Sequence, residues 1–160
     1  MATITGNIGI NVRLVQAAPT GYSGGDVASV SLDASISSGT GANQGDLLYS
    51  GTTSVTGASS VDLDLRAVTS PAGAALSGLV EIVAIVIEWP STATASLLIT
   101  PSASNGVTSV GSPSLVPGGK LVMYCSTAVG YAIDATHKSL NLANAGTTAL
   151  ATITLLGRSA

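Results

Sequence analysis

Apolar residues in this chain recur at every second position, and clusters of Gly, Pro, Asn and Ser interrupt the pattern at short intervals. Alternation of that kind puts one side of a pleated strand on a core and the other in water, whereas an amphipathic helix needs a period near 3.6 held over ten or more residues. No ten-residue segment shows a helical period. Strands are expected at 2–16, 27–37, 46–55, 60–66, 79–89, 95–100, 120–125, 138–143 and 149–156. About nine short strands joined by turn-rich loops predict an all-β fold, an antiparallel β-sandwich or jelly-roll-like domain with little or no helix. One such domain is expected over 1–160, with 1–9 as an N-terminal arm.

Two segments show how the pattern would build a core. In Val61-Asp62-Leu63-Asp64-Leu65-Arg66 the alternation is strict, so Val61, Leu63 and Leu65 are expected inside and the charged residues outside. From Ile82 to Ile87 both parities are apolar, which predicts a central strand covered on both faces. One cover is the opposite sheet. The second is a neighbouring subunit or a loop of the same chain, and the sequence leaves both open.

Composition supports a folded chain with an unusual surface. A chain of 160 residues is long enough to bury roughly two-thirds of the area its unfolded form exposes. Val, Ile and Leu are dense throughout, which disordered chains lack. Charged residues make up only 8% and glycines number 19, so the surface is expected to carry Ser, Thr, Asn and backbone in place of ions. The net charge is −3, and Arg13, Arg66, Lys120, Lys138 and Arg158 are scattered, a distribution that gives no footprint for nucleic acid. Residues Met1 to Thr5 lack the basic and apolar stretches of a secretory signal, and Leu79 to Trp89 is too short to span a bilayer. No membrane partner is expected. The single cysteine, Cys125, permits no intrachain disulfide, so stability must come from packing, pairing or assembly, and synthesis in a reducing compartment suits the chain.

Constellations able to carry chemistry are thin. His137 is the only histidine and Cys125 the only thiol, so zinc sites built from several imidazoles or thiolates are excluded. A Cys125–His137 nucleophile pair is conceivable, but Cys125 closes the apolar stretch Leu121-Val122-Met123-Tyr124 and reads as a small buried thiol. Asp134 and His137 lie in a polar segment with Thr136, where short side chains satisfy local backbone donors and build a turn. Asp62 and Asp64 share a strand face like a hydrolase carboxylate pair, yet Arg66 beside them points to a solvated or interfacial charge row. Gly119-Lys120 precedes Leu121 and not Ser or Thr, so the phosphate-loop pattern fails; Pro117-Gly118-Gly119 predicts a tight turn. The segment Gly39 to Gly45 has the wrong spacing for a dinucleotide fingerprint and is expected as a flexible loop. No catalytic, cofactor-binding or metal-binding residue is assigned, and the chain is expected to be no enzyme and to need no cofactor.

A resemblance is carried by longer stretches. Ser38-Gly39-Thr40-Gly41-Ala42-Asn43-Gln44-Gly45-Asp46-Leu47-Leu48-Tyr49, then Ser60 to Leu65 and the strand Val83 to Glu88, resemble small structural proteins of tailed bacteriophages. The C-terminal half is similar to them as well, through Leu115-Val116-Pro117-Gly118-Gly119, Gly130-Tyr131-Ala132-Ile133-Asp134 and Asn144-Ala145-Gly146-Thr147-Thr148. The similarity covers about 25 to 157, except for Ser91 to Ser114, and rests on turn and strand patterns that transfer no catalytic residue. It implies a virion component made in the host cytoplasm, a head decoration or cement protein bound to the major capsid protein or another virion protein.

The expected partners are therefore other copies of this chain, as a closed homo-oligomer and specifically a trimer, together with the capsid. Segment Ala2 to Gly9 is the expected contact arm, since terminal segments dock readily on a neighbour's sheet edge. Alternatives from other classes are a phage tail or fibre component, a hydrolase using Asp62 and Asp64 or Cys125 and His137, and a carbohydrate-binding β-sandwich. The last would gather Trp89, Tyr22, Tyr49, Tyr124 or Tyr131 on one exposed patch.

Overall fold

The computed structural model describes residues 6–16, 26–70 and 73–159. Twelve strands follow one another: β1 (Gly6–Gln16), β2 (Asp26–Ser38), β3 (Gln44–Gly45), β4 (Leu47–Val55), β5 (Ser59–Asp64), β6 (Leu79–Glu88), β7 (Leu97–Pro101), β8 (Ser114–Leu115), β9 (Lys120–Tyr124), β10 (Tyr131–Ala132), β11 (Ser139–Asn144) and β12 (Ala149–Ser159). Among the described residues the helical content is one 3₁₀ turn, Thr108–Val110.

The nine expected strands are all present, with ends within three residues of those the alternation gives, apart from the expected start of the first at 2, which lies outside the described residues. The three others, β3, β8 and β10, hold two residues each, too few to display a period. Of the expected arm, residues 1–5 lie outside the described residues, and Gly6 to Gly9 are the first part of β1.

Two antiparallel sheets form a sandwich. In the larger, β4 pairs with β12 and β12 with β6, while β9 and β10 share the far edge of β6. The smaller runs β5-β11-β7-β8. Inward residues of both meet in one core: Val55, Ile85, Ile87, Ile153 and Leu155 from the first sheet pack with Leu97, Ile99, Leu140 and Leu142 from the second. Leu65 is fully buried and Val61 and Leu63 pack half-buried against that core, as the alternation requires.

Strand β6 solves a phase problem. Leu79, Ile82, Ile85 and Ile87 all reach the core, although a regular strand would turn Ile82 and Ile85 to opposite faces. The β12 register shows how: Gly157 faces Ile82 and Leu156 faces Ala84, so Val83 is an extra residue, and Val80 is a second one between Leu79 and Glu81. Bulges of this kind reset which face a side chain takes. Both extra residues stay bonded on the opposite edge of β6, in register with β9 and β10: Val83 O accepts from Cys125 N at 2.8 Å and Val80 O from Ile133 N at 2.7 Å.

The second cover of β6 comes from the same chain. Val83 and Ala84 are buried with Ile36 of β2 and Leu156 of β12, and Tyr124 packs against them. Segment 39–45, expected as a flexible loop, is instead tied down over this outer face. Its Gly41 N donates to Gln44 Oε1 at 2.8 Å, Asn43 accepts from the Tyr124 hydroxyl, and Gly45 is so close to Leu156 that a Cβ there would lie 2.6 Å from Leu156 Cγ. Further along the face Val86 remains half-buried.

Beside the sandwich stands a ribbon. β1 and β2 pair in unbroken antiparallel register from Gly6 opposite Ile36 to Gln16 opposite Asp26, and β2 then runs parallel to β3 through Ser37 and Ser38. The turn read at Pro117 is also present: Gly119 N donates to Val116 O at 2.7 Å and Gly118 takes φ of 80°, the left-handed value a type II turn needs at that position.

Candidate functional site

The acidic pair on β5 is held for structure. Cross-strand pairing puts Asp62 opposite Asn141 and Asp64 opposite Ser139. Asn141 Nδ2 donates to Asp62 Oδ1 at 2.8 Å, and Lys138 Nζ meets Asp64 Oδ2 at 2.6 Å. Asp64 Oδ1 also accepts from Arg66 N and Ala67 N, which closes the turn after β5. Arg66 does not extend the charge row; its Nε donates to Ser77 O at 2.9 Å. Together Asp64, Arg66, Ser77 and Lys138 line a shallow recess of about 270 Å³. Partial burial pushes the Asp64 carboxyl up, but the Lys138 hydrogen bond and charge and the two backbone donors more than offset it, leaving it below its ordinary value.

Asp134 and His137 build a turn. Asp134 Oδ1 accepts from Thr136 N at 2.6 Å, Thr136 Oγ1 at 2.8 Å and His137 N at 2.7 Å, and Asp134 Oδ2 lies 3.0 Å from His137 Nδ1. Those bonds, that from the His137 side chain first, hold the exposed Asp134 carboxyl well below the usual carboxylate range. Both Asp64 and Asp134 have a folded pKa depressed from the unfolded value. Their contribution is thus complete above an unfolded carboxylate pKa near ~3.9 and is lost as pH falls through the lower folded values. Thermal melts between pH 7 and pH 2 should show no loss from these groups above about pH 5 and a decline below about pH 4, and Asp64→Asn should reduce that decline. A decline unchanged in the variant would count against the Asp64 assignment.

Cys125 departs from its expected place in the core. It is half-buried one residue beyond β9, and its Sγ lies 3.2 Å from Thr127 Oγ1 and 3.1 Å from Val129 O. Strand β9 ends at Tyr124, and Cys125 N donates to Val83 O in step with the β6–β9 pairing that sets Tyr124 opposite Ala84. His137 bonds to Asp134 and Thr136, so the Cys125–His137 pair is not assembled. Among the described residues no three His, Cys, Asp or Glu side chains group in a way that could hold a metal ion.

The aromatic residues are dispersed. Trp89 and Tyr49 are in the core, Tyr124 and Tyr131 are half-buried, and Tyr22 lies outside the described residues. Trp89 therefore offers no stacking face.

What the sandwich presents is two outer faces rich in small side chains. On the larger sheet Ser50, Thr52 and Ser54 of β4 lie beside Thr154, Thr152 and Leu150 of β12, all exposed, with Ser50 and Thr154 hydroxyls 3.3 Å apart. The face continues across Val86 to the exposed Val122, and its charges are compensated by the Lys120–Glu88 pair at 2.7 Å. On the smaller sheet Ser59, Ser60, Leu98 and Ala143 line an open groove of about 560 Å³. Neither face gathers a convergent set of titratable groups.

Sequence reasoning passed over Arg158. Its even position in β12, in step with Thr152 and Thr154, marks it as outward and hence solvated. It is 1% exposed, because segment 39–45 and the loop after Cys125 close over that end of the sheet.

No family model, curated protein or solved structure matches this chain.

Proposed function

We propose that this chain is a non-enzymatic structural component of a tailed-phage virion, a head decoration or cement protein that acts as a homo-oligomer, a trimer, on the major capsid protein. The observation that carries this reading is the pair of sheet faces covered mainly by Ser, Thr, Ala and single aliphatic side chains, on which most of the few charges are paired, Glu88 with Lys120 and Asp64 with Lys138. Burying ions at a contact is costly, whereas hydroxyl and small apolar surfaces pack with little desolvation of charge. Weak contacts then suffice. A subunit that touches several neighbours at high effective concentration is retained far longer than any one contact would allow. The resemblance of the turn and strand segments to small phage structural proteins points the same way, and a trimer suits the threefold positions of a capsid lattice.

The test is to locate the protein in purified particles. Electron microscopy with an antibody label, combined with quantitative mass spectrometry of the virion, should find it on the head surface at a fixed ratio to the major capsid protein. A label on the tail would move the assignment to the tail or fibre, and absence from purified virions would overturn it.

A further inference from the structure

We propose that the Asn105–Gly106 bond is a site of spontaneous chemical modification, at which the asparagine loses ammonia and the main chain is rerouted through an isoaspartate. In the first step the Gly106 backbone nitrogen attacks Asn105 Cγ. A new C–N bond closes a five-membered succinimide, and the side-chain nitrogen leaves as ammonia, taking the Gly106 amide proton. Water then opens the ring at either carbonyl, giving aspartate or isoaspartate. A glycine on the attacking side offers no Cβ to obstruct the approach. Asn105–Gly106 is the one Asn-Gly pair in the chain; the remaining asparagines precede Ile8, Val12, Gln44, Leu142 and Ala145.

The fold leaves both reacting groups free. Asn105 is exposed, and among the described residues no hydrogen bond engages its side chain or Gly106 N. Pairing explains the second of these. Gly106 bridges Ser139 in parallel, so Ser139 N donates to Asn105 O at 2.8 Å and Val107 N to Ser139 O at 3.0 Å, and the ladder makes no use of Gly106 N. The other asparagines with described side chains are held. Asn43 Oδ1 accepts from the Tyr124 hydroxyl, Asn141 Nδ2 donates to Asp62 Oδ1 at 2.8 Å, and Asn144 Nδ2 donates to Thr147 O at 2.6 Å.

The modification would strike a structural knot. Asn105 O accepts from Lys138 N and Ser139 N, both at 2.8 Å, and Ser102 N and Val107 N donate to Ser139 O, which stitches residues 102–107 to the start of β11. Gly106 is packed so closely that a Cβ there would lie 2.3 Å from Ser102 O. Isoaspartate inserts one more main-chain carbon ahead of the Gly106 nitrogen and takes the carbonyl off its two donors. The stitch then opens beside the Asp64–Lys138 pair. Those same two bonds restrain the turn of the peptide that ring closure needs, so the folded chain reacts through local opening of this surface loop, more slowly than the unfolded chain.

The test incubates the full chain, folded and in urea, at about pH 8 and about 37 °C for several weeks. Trypsin cuts after Arg66 and Lys120, and Asn105 is the only Asn or Gln between them, so a gain of about 1 Da in peptide 67–120 reports this site by mass alone. In the folded chain that peptide should gain the mass and become a substrate for an isoaspartyl methyltransferase, while peptides holding the other asparagines stay unchanged. Asn105→Gly accepts the φ of 59° and removes Cγ, so it should take no methyl label. Asn105→Asp adds the charge without the extra main-chain carbon and should melt with the wild type. The deamidated fraction, separated from unreacted chain by anion exchange, should melt about 5 °C lower for the two carbonyl bonds it loses. No gain in the folded chain overturns the proposal, whether or not the chain in urea converts, and so does labelling of another asparagine ahead of Asn105. A deamidated fraction that melts together with Asn105→Asp overturns the opened stitch.

Discussion

Arg158→Met should lower the unfolding free energy by about 3–5 kcal/mol, and the double variant Glu81→Leu/Arg158→Met should recover most of that loss. Arg158 is 1% exposed, and its guanidinium joins three parts of the chain: Nη1 donates to Gly41 O at 2.9 Å, Nη2 to Thr127 O at 3.1 Å, and Nε lies 3.0 Å from Glu81 Oε2. The Nε proton makes no aligned hydrogen bond, so its contact with Glu81 is one of charge, while the two carbonyls receive the directed bonds. Methionine fills much of the same space but leaves the Glu81 carboxylate and two carbonyls without their partner. Removing one member of a buried pair is costly for that reason, whereas removing both exchanges charge attraction for apolar packing. At ~2–4 °C per kcal/mol for a chain of this size, the single variant should melt roughly 10 °C lower. Urea unfolding of wild type, both singles and the double closes the cycle. A single Arg158→Met within about 0.5 kcal/mol of wild type would refute the claim that this arginine ties segment 39–45 to the sheet.

That residue also marks where the sequence stops being legible. Strict alternation in 60–66 and 149–156 gives strand and facing together, because each strand has one wet side and one core side. The Pro117-Gly118-Gly119 turn is legible for a local reason, since proline fixes one φ and glycine permits the next. Asp134 and Thr136 are legible as a turn because their partners lie within three residues. What fails is anything set at a distance. The bulges at Val80 and Val83 leave no mark in a run of aliphatics, since either parity reads as apolar. Burial of Arg158 depends on a loop 117 residues earlier, and the Asp64–Lys138 pair joins positions 74 apart. Strands β1 and β2 are each readable by period, but their union as a ribbon follows from pairing that no single strand encodes.

Trp89→Ala should cost about 3–5 kcal/mol, the loss associated with emptying a large aromatic site in a core. Trp89 is 2% exposed and stands where β6 leaves the sheet, so it fixes more than its own volume. Its indole Nε1 donates to Ala95 O at 2.8 Å, which holds the segment leading into β7. Its backbone N donates to Gly119 O at 2.9 Å and its carbonyl accepts from Gly118 N at 3.1 Å, fastening the type II turn that opens β9. Trp89→Phe keeps most of the ring but strands the Ala95 carbonyl, and should cost a smaller amount, about 1–3 kcal/mol. Since Trp89 is the only tryptophan, unfolding of both variants is followed by far-ultraviolet circular dichroism in urea. A Trp89→Ala variant within about 0.5 kcal/mol of wild type would show that the core closes over the emptied site and that the indole anchors neither neighbouring segment.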